Sequence, residues 1–148
     1  MNTWRAGWIS ALLLLASSAP AQQSESFGPY TIHFNALNSD QLPPQVARAY
    51  GLERSSSRAI LNITVMKADE DGGMSHAVAA KVAASARNLT GQTREIELHE
   101  VSEPGGAIYY IGEFRINNLE TFDFDVHVKP EDNPKPLEIK FRMQFYTE

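Results

Sequence analysis

The sequence predicts an all-β protein in which two antiparallel sheets pack face to face. Apolar residues recur at every second position through most of the chain. Side chains alternate between the two faces of a strand, so this is the pattern of sheets with one buried and one wet side. Residues that favour tight reversals separate the alternating stretches at short intervals, which suits hairpins rather than parallel crossovers. Cysteine is absent. A domain without disulfides must hold together by packing, and the length here is sufficient for one apolar core.

The N-terminus precedes that pattern. Residues 1–5 form a short start carrying Arg5, and residues 6–16 are apolar, with Leu12, Leu13, Leu14 and Leu15 in a row. Ser17, Ser18 and then Ala19-Pro20-Ala21 supply the small-x-small exit of a secretory signal peptide. Cleavage is expected between Ala21 and Gln22, so residues 1–21 are the signal and 22–148 the domain. The apolar run of roughly eleven residues falls short of the roughly 20 that span a bilayer as a helix. No cysteine follows it for lipid attachment, so the expectation is an exported chain with no membrane anchor after cleavage.

The first strand is read from Tyr30, Ile32 and Phe34, which alternate with Thr31, His33 and Asn35. One short helix follows it. Pro43-Pro44 can start this helix because proline is tolerated in a first turn, Gly51 can end it, and Val46 and Tyr50, four apart, form its buried edge. Leu61, Ile63 and Val65 mark the second strand. Residues 77–86 (AVAAKVAASA) are ambiguous, because alanine favours a helix while Val78, Ala80, Val82, Ala84 and Ala86 also alternate. A strand keeps the hairpin rhythm on both sides, so a strand is expected. Ile96 and Leu98 give the next strand, then Ile108, Tyr110, Phe114 and Ile116, then Phe122, Phe124, Val126 and Val128. Leu137, Ile139, Phe141, Met143 and Phe145 give the last. Turns are expected at residues 69–73, 90–92, 104–106, 117–118 and 131–134. About seven strands at this spacing make a single immunoglobulin-like antiparallel sandwich, with a small barrel as the runner-up.

Charge narrows the partners. The signal removes Arg5 from thirteen basic residues, leaving twelve against eighteen acids and a formal charge of −6. Nucleic acids and anionic membranes need a dense Lys/Arg footprint, so neither is an expected partner. The lack of cysteine removes thiol catalysis and thiolate metal sites.

Three stretches resemble a family of small exported bacterial proteins known only as a domain of unknown function, number 4426. They are residues 30–38 (YTIHFNALN), 44–55 (PQVARAYGLERS) and 108–114 (IYYIGEF), with the closing Phe145-Tyr146. The resemblance covers nearly the whole chain after the signal. It implies one immunoglobulin-like domain and a strand at residues 77–86, places the protein in the periplasm of a two-membrane bacterium, and implies no activity.

The candidate sites are sparse. Imidazole and thioether suit copper, and Met74, His76, Asp123, Asp125 and His127 are the residues that would carry a metal. Neighbours two apart on one strand face are about 6.5–7 Å apart, too wide for one small ion without a second strand. Residues 69–72 resemble part of an EF-hand loop, but the first ligand position falls on Lys67 and the twelfth on Val78. No G-x-S-x-G elbow and no glycine-rich phosphate loop is present. Arg48, Arg54 and Arg58 form a basic cluster in an acidic chain, and guanidinium groups can clamp a carboxylate or phosphate. Tyr109 and Tyr50 would extend that surface. The expectation is a non-enzymatic periplasmic binding or interaction module, with no cofactor, whose partner is a periplasmic protein or a small anionic ligand. The alternative is a periplasmic metal-handling protein of the copper type.

Overall fold

The computed structural model describes residues 23–148; the expected signal peptide and its cleavage point lie outside the described residues. Among the described residues ten strands form two antiparallel sheets. They are β1 (Gln23–Phe27), β2 (Tyr30–Asn38), β3 (Arg58–Ala68), β4 (Ser75–Ala77), β5 (Ala80–Asn88), β6 (Thr93–Ile96), β7 (His99–Ser102), β8 (Ile108–Arg115), β9 (Glu120–Pro130) and β10 (Leu137–Phe145). The first sheet runs β1-β2-β3-β8-β7 with β4 also paired to β3, and the second runs β10-β9-β5-β6. Between β2 and β3 lie a 3-10 turn (Ser39–Gln41) and one short helix, α1 (Pro44–Ala49).

The alternating residues meet between the sheets as expected. Ile32, Leu61, Ile63, Val65, Phe122, Val126, Val128 and Ile139 are fully buried. Phe114 on the first sheet meets Phe122, Phe124 and Phe145 on the second edge-on, with centroids 5.6–5.7 Å apart. Phe124 stacks on Phe141 at 4.6 Å. The strand expected at residues 77–86 is found at residues 80–88, Ala77 instead closing β4 on the other sheet; Ala84 and Ala86 pair with Val126 and Phe124 and face the core. Their small side chains leave the space that the phenyl rings fill, so packing overrides the helical preference of alanine.

The strand count exceeds the expected seven for three physical reasons. β1 is polar and exposed, without apolar alternation, and forms because Gly28, at φ +56°, folds it back on β2 with Phe27 opposite Tyr30. β4 is a three-residue return of the turn after β3. The single strand expected around Ile96 and Leu98 is two. β6 ends in the second sheet, and the chain crosses at residues 97–98 to pair β7 with β8 in the first. Ile96 enters the core at the crossing. Gly112 on β8 makes room for it, since a Cβ there would lie 2.5 Å from the Glu97 carbonyl oxygen and 2.7 Å from Ile96.

Candidate functional site

The outer face of the first sheet is not wholly wet. Asn35 and Leu37 of β2 pair with Asn62 and Ile60 of β3, and Asn62 pairs in turn with Ile111 of β8. Ile60 and Ile111 are 3% and 6% exposed although they point away from the core between the sheets. Residues 39–57 cover them.

That covering segment is pinned by its own backbone and side chains. Pro44 stands in the first turn of α1, and the helix ends at Tyr50 with Gly51 at φ +67°. The Leu52 N–H donates to the Ala47 carbonyl at 2.8 Å and the Gly51 N–H to the Arg48 carbonyl at 3.3 Å. This is a Schellman closure, and the left-handed position it needs is the one glycine occupies at little cost. The buried Ser39 hydroxyl donates to the Ser55 carbonyl at 3.0 Å and accepts from the Ser55 N–H at 2.9 Å, joining the two ends of the segment. Arg54 adds a second brace, donating to the carbonyls of Leu42 at 2.8 Å and Asp40 at 2.9 Å.

A cavity of about 240 Å³ remains between cover and sheet. Its roof is Leu42, Val46, Tyr50 and Leu52; its floor is Asn35, Leu37, Ile60, Asn62 and Ile111, with Tyr109 at one side. The side-chain oxygens of Asn35 and Asn62 are shut off from solvent and accept no hydrogen bond. Tyr50 and Tyr109 face each other with ring centroids 6.3 Å apart. The Tyr50 hydroxyl donates to Glu103 beyond β7, tying α1 to the far end of the sheet. That bond, with burial second, pushes the Tyr50 pKa up to about 12. Past Tyr109 a groove of about 540 Å³ continues the trough along Thr64, Met66, His76, Gly105 and Gly106.

The three arginines have different surroundings. Arg54 is the brace just described. Arg58 lies 3.7 Å from Glu53 and 3.4 Å from Glu113, and the Glu53 N–H donates to Glu113 at 2.9 Å. Arg48 is exposed in the last turn of α1. Tyr109 is half-buried in the cavity wall.

The five metal candidates do not converge. Met74 is exposed in the turn before β4, and His76, on β4 of the first sheet, has its Nδ1 2.9 Å from Asp69, whereas the other three candidates lie on β9 of the second sheet. Asp123 is held by Arg142 through bonds of 2.6 and 3.0 Å, which lower its pKa. Asp125 and His127 do come together, with His127 Nε2 3.1 Å from Asp125 Oδ1. Glu138 joins them from β10, opposite His127, and one donor atom from each of the three lies within 4.8 Å of the others. Register across β9 and β10 makes that third member, and one-strand spacing gives no sign of it. Lys140 already lies 3.2 Å from Glu138.

The family described as "Domain of unknown function (DUF4426)" matches residues 24–148. The chain belongs to the DUF4426 family. A solved DUF4426 protein from Pseudomonas aeruginosa PAO1 is 33% identical, with a TM-score of 0.72, over 86% of this chain and 96% of that one. FetP of uropathogenic Escherichia coli strain F11, recombinantly expressed in the periplasm of E. coli, is similar in fold alone. It is 11% identical, with a TM-score of 0.60, over 86% of this chain and 95% of its own. No curated protein matches. Among the described residues no helix is long and apolar enough to cross a membrane. In this DUF4426 chain, residues 30–38 and 108–114 supply two of the three floor strands, and residues 44–55 supply α1 and its braces.

Proposed function

We propose that this DUF4426 protein is a non-enzymatic binding module of the periplasm that takes a small ligand into the cavity beneath α1. One observation carries the reading: two neighbouring asparagines on an apolar floor have side-chain oxygens without partners. A buried polar group left unpaired costs about 1–3 kcal/mol, so a fold shaped by stability alone would place aliphatic residues there. Both residues line the cavity, and a turn of each amide would bring its oxygen to a guest; polar groups that are few and neighbouring in an apolar pocket are what orient a ligand. The cavity lining holds amides and phenols but no carboxylate, imidazole or amine, which suits binding rather than proton transfer. The N-terminal signal pattern supports the compartment.

The test is a fragment screen followed by two-dimensional amide NMR, repeated with Val46→Trp to fill the cavity. Hits that shift Val46, Asn35 and Asn62 and vanish in Val46→Trp support the site. Hits that map to the outer face of the second sheet and persist in the variant overturn it. Cell fractionation with intact-mass measurement tests the compartment, the expected species beginning at Gln22.

A second reading, metal handling, rests on Asp125, His127 and Glu138. It requires a divalent ion to displace Lys140 from Glu138, and calorimetry with Cu(II) and Zn(II) on the wild type and on Glu138→Gln distinguishes it.

A further inference from the structure

Resting on the cavity reading above, we infer that the ligand is uncharged and that its buried end is a compact ring or branched alkyl group bearing an amide. The remainder of a larger ligand would run past Tyr109 into the adjoining groove.

Size sets the buried end. A cavity of about 150 Å³ admits benzene, so the 240 Å³ here admits a ring with one substituent but not a larger body. Charge is set by what is missing from the lining and by what the nearby cations already hold. The lining carries no carboxylate, imidazole, ammonium or guanidinium group. Arg54 is bonded to two backbone carbonyls, Arg58 lies between Glu53 and Glu113, and Arg48 is exposed on α1 outside the lining. A carboxylate or ammonium entering the cavity would lose its water without gaining a counter-ion, which is the most costly form of burial.

The polar group follows from the two asparagines. Each amide can turn about its last side-chain torsion to show either its oxygen or its NH2 to the cavity, because that torsion is broad. Side chains directly across an antiparallel pair are about 4.5–5.5 Å apart at Cβ. One small group with a donor and an acceptor side by side can therefore bond both Asn35 and Asn62, and an amide is that group. A bare hydrocarbon would fill the space and leave both oxygens unpaired. A hydrocarbon is consequently rejected here, as a site built for hydrogen bonds rejects an analogue that lacks them.

The experiment uses the intact exported protein and three probes of matched shape: benzamide, benzoate and toluene, followed by amide NMR at neutral pH. Benzamide is expected to move the side-chain NH2 signals of Asn35 and Asn62. It should bind at least about tenfold more tightly than benzoate and several-fold more tightly than toluene, the range that one or two neutral hydrogen bonds supply. Asn62→Leu should reverse the order of benzamide and toluene while the rest of the spectrum shows the fold intact. Equal or tighter binding of benzoate in the cavity overturns the ligand class and leaves the cavity reading standing. Probes that shift only residues elsewhere, or none that shift any residue up to their solubility, overturn both, the cavity then holding water alone.

Discussion

Arg54 and Asn62 have opposite relations to stability, and each relation is measurable. The Arg54 guanidinium donates to the carbonyls of Leu42 and Asp40 and so braces the segment that roofs the cavity. Charge-assisted bonds of this kind, on an exposed side chain, are worth about 1 kcal/mol in sum. Arg54→Ala should therefore lower the unfolding free energy by about that amount and speed amide exchange across residues 39–57. An unchanged melting curve with unchanged exchange would free Arg54 for the partner contact expected of it from sequence. Asn62 is the reverse. Its oxygen is buried and unpaired, so Asn62→Leu should leave the free protein as stable as before or more stable by about 1 kcal/mol. A loss of more than that in urea denaturation would show that the amide is satisfied in solution. Position by position, the sequence shows an arginine and an asparagine, but their roles depend on which backbone lies three ångströms away.

The sheet-switching element between β6 and β7 depends on a single glycine. The Glu97 carbonyl oxygen would lie 2.5 Å from a Cβ at position 112, and Leu98 Cδ2 would lie 2.9 Å from it. Because the first neighbour is backbone, rotamer changes cannot relieve the clash, and overpacking of this severity costs about 3 kcal/mol. Gly112→Ala should show that loss in denaturant titration, with the crossing at residues 97–98 opening first in hydrogen exchange. The alternation of Ile96 and Leu98 reads in sequence as one continuous strand. Period-two patterning reports which side of a ribbon is apolar and not which sheet the ribbon belongs to, so the crossing left no local mark beyond Gly112 on a different strand. The β9–β10 pair is a similar case for the candidate metal cluster. With Glu138 already beside Lys140 and with His127 and Asp125 half exposed, calorimetry with Cu(II) or Zn(II) should find no site tighter than micromolar. A tight stoichiometric site lost in His127→Ala would favour metal handling over the cavity.

For the molecule as a whole, a charged cluster joins the two sheets at the end of the sandwich opposite Phe145, beside the bond that the Ala80 N–H of β5 donates to the Tyr110 hydroxyl of β8. Tyr30 of β2 donates to Asp132 at 2.5 Å, and Lys67 of β3 bonds the other carboxylate oxygen, while Asp132 itself lies in the turn between β9 and β10. The Lys67 bond first and the Tyr30 bond second hold the Asp132 carboxyl down at about 2, against 3.8 for the ordinary group. A carboxyl lowered in the folded state stabilises above its unfolded pKa, and that contribution is lost as pH falls through the folded one. Global stability should therefore decline between about pH 4 and pH 2, and Asp132→Asn should flatten the decline. Asp123 is lowered as well, by the Arg142 bond, and so contributes in the same direction, and the decline should flatten further in the double variant with Asp123→Asn. A slope identical in wild type and both variants would show that these ion pairs are not maintained in solution.

The sequence by itself determined the two-sheet sandwich, the buried face of each long strand and the short helix that starts at Pro44 and is closed by Gly51. All of these follow from near-neighbour patterning, in which side-chain alternation, proline and glycine act within a few residues. It also marked Tyr109 and the arginines as chemistry-bearing residues. Only the tertiary structure decided that Asn35 and Asn62 stand side by side on an apolar floor. The alternation that identified β2 placed Asn35 on the face expected to be wet, and nothing local shows that α1 folds down over it. Burial on that second face is a property of three strands and a covering segment brought together, 27 positions apart for the two asparagines. The same holds for Glu138 beside His127. Contacts across strands are set by register and by what lies above the sheet, and those exist only once the whole chain has closed.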